Sequence, residues 1–252
     1  MGSIFKTSII FLCLLTHTLL SVGSTPKKDL DQILVISAYA DSNPWSNSFI
    51  PPIVTMASQD STIGAYTIYL NMFALQNAKE VDKFEASICE MLPSSPPKMV
   101  VFVGNASFVF CDNLNKIWPD IPMLLCGERD YTGPDSLIIQ AHALAPQQRI
   151  PISDLQKTMN LTMLYANLYI EENLQLMKQL IPQMNKVIYI GDGTYTCQQN
   201  DYDLSATIRK KHPDLEYQFI SAENTSTDSL FTILRKQLSL IHISEPTRPE
   251  RI

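Results

Sequence analysis

Histidine and glycine are scarce in this chain, with four of the first and eight of the second among 252 residues. His17 lies in an N-terminal apolar run and His242 in the C-terminal tail, which leaves His142 and His212 for chemistry. No carboxylate or thiol stands at ligand spacing beside either, so no zinc motif is formed, although a two-histidine metal site stays open. His212 follows Lys210 and Lys211 and precedes Pro213 at an expected helix end, where a solvated cap is its ordinary role. The glycines build no phosphate loop, because Gly191-Asp192-Gly193-Thr194 lacks the lysine and the spacing of one. No Gly-x-Ser-x-Gly elbow of a hydrolase occurs.

Cysteine is sparse as well, at five. Beyond Cys13, the spacing of Cys89, Cys111, Cys126 and Cys197 matches no zinc or redox motif. A disulfide is open to an exported protein, but buried free thiols are the preferred reading. Basic charge is short: 19 Lys and Arg face 25 Asp and Glu, for a net charge of −6. With no basic run, nucleic acid is not an expected partner. No cofactor and no metal are expected, and the chain is read as non-enzymatic. Glu128 and Asp192 could form an acid–base pair across a cleft. Helix capping, or accepting hydrogen bonds from a ligand, is the more ordinary role for both.

What the chain does have is apolar sequence, 45% of it, in short alternating runs. The first run, residues 9–20 behind Lys6, is short for a membrane span of about 20 residues. Ser21, Val22 and Gly23 follow as small residues, so 1–23 reads as a secretory signal cleaved near Gly23 or Ser24. An uncleaved anchor is the alternative. Cys13 lacks the small residues that precede a lipoprotein cysteine.

Residues 33–36 form a short continuous apolar run, as expected of a strand buried on both faces. Further strands are expected at 65–70, 99–103 and 122–126. A helix after Ser48 carries Pro51 and Pro52 early, where proline is tolerated. Asn77 caps another helix, with Glu80 three residues on and Val81, Phe84, Ile88 and Met91 as its inner stripe. Pro93, Pro96 and Pro97 end it. Residues 128–153 are irregular, punctuated by Gly133, Pro134 and Pro146.

A second unit is expected from an extended segment at 160–165. A helix at 171–181 turns Leu174, Met177, Leu180 and Ile181 inward. A strand at 186–190, a helix with Leu204 and Ile208, a strand at 215–220 and a helix begun by Leu230, Ile233 and Leu234 follow. Alternating strands and helices argue for α/β layers with parallel sheets. The break at 128–165 argues for two lobes, residues 24–159 and 160–237.

Gly104, Gly127 and Gly191 each directly follow an expected strand. Ligands of open α/β sheets bind beyond the carboxyl ends of strands, and glycine there lets the backbone approach closely. Polar and aromatic residues gather at the same ends. Tyr39 and Trp45 follow the first strand, Asn105 the third, Glu128 and Tyr131 the fourth, and Asp192 and Tyr195 the second-lobe strand. These seven are the candidate ligand-binding residues. Taken singly, each reads as turn or cap chemistry; taken together, they favour a cleft for a small molecule.

The segments that begin Ile33-Leu34-Val35, Asn43-Pro44-Trp45, Gly104-Asn105-Ala106, Trp118-Pro119-Asp120, Gly127-Glu128-Arg129, Arg149-Ile150-Pro151, Asn160-Leu161-Thr162 and Leu180-Ile181-Pro182 carry a resemblance. Together they resemble the extracytoplasmic sensor region of bacterial PAS-containing or hybrid sensor histidine kinases. That region is similar to type I periplasmic binding proteins of the ABC-transporter substrate-binding kind. The resemblance implies two Rossmann-like lobes around a hinge, with a small molecule between them. It also implies a periplasmic location, a downstream transmembrane helix, kinase output modules and a homodimer. A free substrate-binding protein of a transporter is the alternative. Residues 238–248, Leu-Ser-Leu-Ile-His-Ile-Ser-Glu-Pro-Thr-Arg, resemble one reading frame of a transposase-type sequencing adapter. On that reading 238–252 is a non-native tail and the second lobe is cut short.

Overall fold

A computed structural model of the chain describes residues 21–22, 30–72, 83, 86–87, 90–92, 95–222 and 224–238. Most of the expected signal segment, Cys89, the tail beyond 238 and most of the helix expected after Asn77, with Val81, Phe84 and Ile88, lie outside the described residues.

The strands run in chain order as β1 (Ser21–Val22), β2 (Asp31–Ser37), β3 (Ile63–Tyr69), β4 (Met99–Val103), β5 (Met123–Gly127), β6 (Tyr131–Thr132), β7 (Ile150–Pro151), β8 (Leu161–Tyr165), β9 (Lys186–Gly191) and β10 (Glu216–Ser221). The helices are α1 (Pro44–Ser58), α2 (Cys111–Ile117), α3 (Asp135–Ile139), α4 (Ile152–Leu155), α5 (Ile170–Leu180), α6 (Tyr195–Lys211) and α7 (Thr227–Leu238).

A parallel sheet ordered β3-β2-β4-β5-β8 carries the larger unit, and β1 adds antiparallel to β3 at its edge. The apolar runs make it so, because both faces are covered. Leu34, Ile36, Val100, Phe102 and Leu125 point to one side, against Phe108, Phe110 and Leu114. Val35, Val101, Val103 and Cys126 point to the other, against Ile50 of α1. Adjacent residues alternate between the two cores, as the strand period of two requires. Each such side chain contributes about 1.5–3 kcal/mol by leaving water.

Two features of the larger unit depart from expectation. The segment at 160–165 is not the start of the second lobe. It is β8, and all five of its residues pair with β5 from Met123↔Leu161 to Gly127↔Tyr165. Its local pattern marks it as extended but carries no information about which sheet it joins. Helix α1 starts earlier than expected, capped by Asn43, whose Oδ1 accepts from the Trp45 N–H at 2.9 Å. Pro51 and Pro52 therefore lie inside the helix rather than in its first turn. Interior proline costs about 3 kcal/mol through a lost hydrogen bond and a ring clash. Here both prolines are on the exposed side, where water can reach the freed carbonyls.

The smaller unit is a two-stranded parallel sheet of β9 and β10. Its core is Leu174, Val187, Ile208 and Leu215. Of the stripe expected to face inward from α5, Leu174 is buried, whereas Met177, Leu180 and Ile181 are exposed. Leu174, with Ile170 beside it, packs on the small core, and the rest of that face stays open. Among the described residues no helix is long and apolar enough to cross a membrane.

Candidate functional site

The sheet order reverses between β2 and β4, the place where α/β sheets open a ligand crevice at their carboxyl ends. In this structure the chain itself fills that crevice with the start of α6. Thr194 caps the helix, its hydroxyl accepting from the Cys197 N–H at 3.3 Å. Tyr195 and Thr196 then press against Ala38, Tyr39 and Ala106, leaving a cavity of about 20 Å³. The Tyr39 and Thr196 hydroxyls share a hydrogen bond of 3.2 Å. Burial pushes the Tyr39 and Tyr195 phenols up to about 12. Gly104 makes the close approach feasible: its φ is +85°, and a Cβ there would stand 2.7 Å from the Tyr39 ring. Tyr39 and Tyr195, read separately from two strand ends, thus meet in one place.

Asn105 has a structural task. Its Oδ1 accepts from the N–H groups of Glu128 at 2.8 Å and Arg129 at 3.2 Å, and its Nδ2 donates to the Arg129 carbonyl at 2.8 Å. It pins the loop after β5 and is buried beneath it. Asp192 also acts locally, accepting from the Thr194 N–H at 2.9 Å and from the Thr194 hydroxyl. Trp45 is a correction to the cleft reading. It rides on α1 against Phe49, ring centroids 4.9 Å apart, in the core on the α1 side of the sheet. The Asn43 cap and the proline turn it there rather than toward the strand ends.

Glu128 and Tyr131 do line a cleft, of about 500 Å³. Its walls come from the ends of β5 and β8, from the crossover around Leu168 and Tyr169, and from α6 through Tyr202, Asp203 and Thr207. Burial raises the Glu128 carboxyl above its ordinary range, and the neighbouring Arg129 partly offsets the rise. The Tyr131 hydroxyl donates to Asp203 Oδ2 at 3.1 Å, and burial pushes that phenol upward. Among the described residues no group of three His, Cys, Asp or Glu side chains could hold a metal ion.

Of the residues that tie the two units together, Tyr131 and Arg129, the one cation noted at a strand end, are legible in the sequence, whereas Arg149, Asn200 and Asp203 are not singled out there. Arg149 Nη2 donates to Asp203 Oδ1 at 2.6 Å, and its guanidinium lies 4.4 Å over the Tyr131 ring. Arg129, 3% exposed, donates to the Thr196 carbonyl at 3.4 Å and to Asn200 Oδ1. The legible signal was on α6: Tyr195, Gln199 and Asp203, with Thr196 and Asn200, recur every four residues as a polar face.

No family model matches the chain, and no curated protein matches it. The chain is similar to a solved structure described as a conserved domain protein from Vibrio cholerae O1 biovar El Tor strain N16961. The TM-score is 0.52 at 12% identity, over 83% of this chain and 63% of the other. At that identity the likeness concerns the fold. The chain is an α/β protein with a Rossmann-like parallel sheet, consistent with a periplasmic-binding-protein-like architecture. It spans less than two thirds of that neighbour's length.

Proposed function

We propose that this chain is the extracytoplasmic ligand-binding region of a two-component sensor histidine kinase, holding a small molecule between its two units. The observation that supports this reading most is the cleft of about 500 Å³, lined by the carboxyl ends of β5 and β8 in the larger unit and by α6 in the smaller. A molecule that touches Tyr131 and Tyr165 on one wall and Tyr202 on the other binds the closed arrangement better than the open one. Binding then shifts the population of closed molecules, and the shift is the signal. The bridges across the cleft are few and polar, each hydrogen bond to a charged group contributing about 1.5–3 kcal/mol, a range that differential ligand contacts can match. A periplasmic location, a downstream membrane helix and a homodimer belong to this reading, and the chain itself carries out no catalysis. A free substrate-binding protein of a transporter would use the same cleft, and the fold does not separate the two readings.

Two measurements test the proposal. A thermal-shift screen against sugars, amines, nucleobases, amino acids and other small carboxylates should find compounds that raise the melting temperature; a flat response contradicts a ligand cleft. Sequencing the source gene across codon 237 separates the two readings. A frame that runs on into a membrane span and a kinase fits the sensor, and one that closes the second unit and stops fits the transporter component.

A further inference from the structure

Three donors of the larger unit converge on one carboxylate, and that carboxylate comes from the smaller unit. Arg149 Nη2 reaches Asp203 Oδ1 at 2.6 Å and the Tyr131 hydroxyl reaches Oδ2 at 3.1 Å. Arg129 Nε stands 3.9 Å from the same Oδ2. That is an ion pair but too long for a hydrogen bond, and the buried Nε has no other partner. The donors thus offer more than Asp203, tethered to α6, can take up.

Charge makes the same point. Arg129 and Arg149 face Glu128, 3.5 Å from Arg129, and Asp203, so the cluster is formally neutral while the units are together. Parting the units removes Asp203, Asn200 and the Thr196 carbonyl at once. The two guanidiniums are then left with Glu128 beside Arg129 and the exposed Asp130 on the rim of the cleft, and Arg149 loses the carboxylate it pairs with. A guanidinium that has lost its carboxylate favours another anion in the vacated place. A planar carboxylate fits the fork of a guanidinium.

We infer that the cleft takes small carboxylates, whose carboxylate group replaces that of Asp203 between Arg129, Tyr131 and Arg149. Asp203 is the resident competitor that keeps the site neutral when it is empty; a bound carboxylate turns its side chain aside, and the units still close on the ligand through Tyr202 on the facing wall. The rest of the ligand lies along the exposed rings of Tyr165 and Tyr169 on the wall of the same cleft. The inference rests on the ligand-cleft reading above and adds the substrate class to it.

The test uses the full chain as wild type, Asp203→Ala and Asp203→Asn, with acetate as the probe and chloride at equal ionic strength as the control. Acetate should stabilise the Asp203 variants with an affinity about tenfold tighter than for wild type, and Arg149→Gln on the variant background should abolish the effect. The Asn variant keeps the shape of the side chain and serves if the Ala variant fails to fold. Larger carboxylates should stabilise wild type where their methyl esters do not. Equal acetate effects on wild type and variants, or effects no greater than those of chloride, overturn the inference. If neutral or cationic compounds stabilise wild type while carboxylates do not, the inference fails and the ligand cleft stands. If no compound of any class acts on wild type or variants, both fail.

Discussion

Leu144 and Gln199 hold each other across the two units by a pair of hydrogen bonds. The Leu144 N–H donates to Gln199 Oε1 at 2.6 Å, and Gln199 Nε2 donates to the Leu144 carbonyl at 3.4 Å. Both residues are fully buried. Gln199→Leu leaves the Leu144 N–H in apolar surroundings without an acceptor, at a cost of about 1–3 kcal/mol. Urea denaturation should show that loss. Hydrogen exchange at Leu144 should speed up more than exchange in β4, because the units part before the sheet opens.

Asn105 and Gly127 should be as sensitive as any core position. Asn105→Ala frees the Glu128 and Arg129 N–H groups and the Arg129 carbonyl together. The expected loss is on the order of 3 kcal/mol. Gly127→Ala sets a Cβ 2.7 Å from Asn105 Oδ1 and strains the same staple. Both variants should melt earlier than wild type, and both should disturb Arg129. A melting temperature equal to wild type for Asn105→Ala would contradict the staple.

Alkaline pH should part the units. Tyr39 and Tyr195 have folded values of about 12 against an ordinary 10, because burial favours the neutral phenol. The folded state holds these protons more tightly than the unfolded state. Their contribution to stability is therefore complete below pH 10 and is lost as pH rises toward 12. Tyrosinate absorbance should rise late and together with unfolding, and Tyr39→Phe should reduce the steepness of that transition. Two early, independent phenol titrations would contradict the packing of α6 into the crevice.

Cys111 and Cys126 are buried free thiols, and burial pushes Cys111 up to about 12. Neither should react with a maleimide at pH 8 until the protein unfolds, since the thiolate is the reactive form. Rapid native labelling of Cys111, read by mass spectrometry of the modified peptide, would contradict its place beside Met123 in the core, Sγ to Sδ 3.5 Å.

The parts of the fold legible in the sequence are those set by local pattern. The runs at 33–36, 65–70, 99–103 and 122–126 fall on β2, β3, β4 and β5, since a strand buried on both faces must be apolar throughout. Strand β8 was legible as extended but not as part of the first sheet, because its partner lies at Met123 to Gly127, far away in sequence. Strand-end glycines located the crevice and the loop after β5. They did not reveal Arg149 and Asp203, which reach the site from an irregular crossover and from the middle of a helix. Trp45 misled because a tryptophan just past a strand end reads like a cleft wall, while the Asn43 cap and Pro44 start a helix that carries it to the core.

The distance between the units with and without a bound compound tests closure most directly. Spin labels at the exposed positions of Met56 on α1 and Leu180 on α5, with the other accessible cysteines replaced, report that distance by pulsed electron resonance. The compound used is whichever raises the melting temperature most in the screen. Signalling by closure predicts a distribution that narrows and shifts when the compound is added, and a loss of that response in Arg149→Gln. A compound that binds in the cleft and leaves the distribution unchanged would contradict signalling by closure.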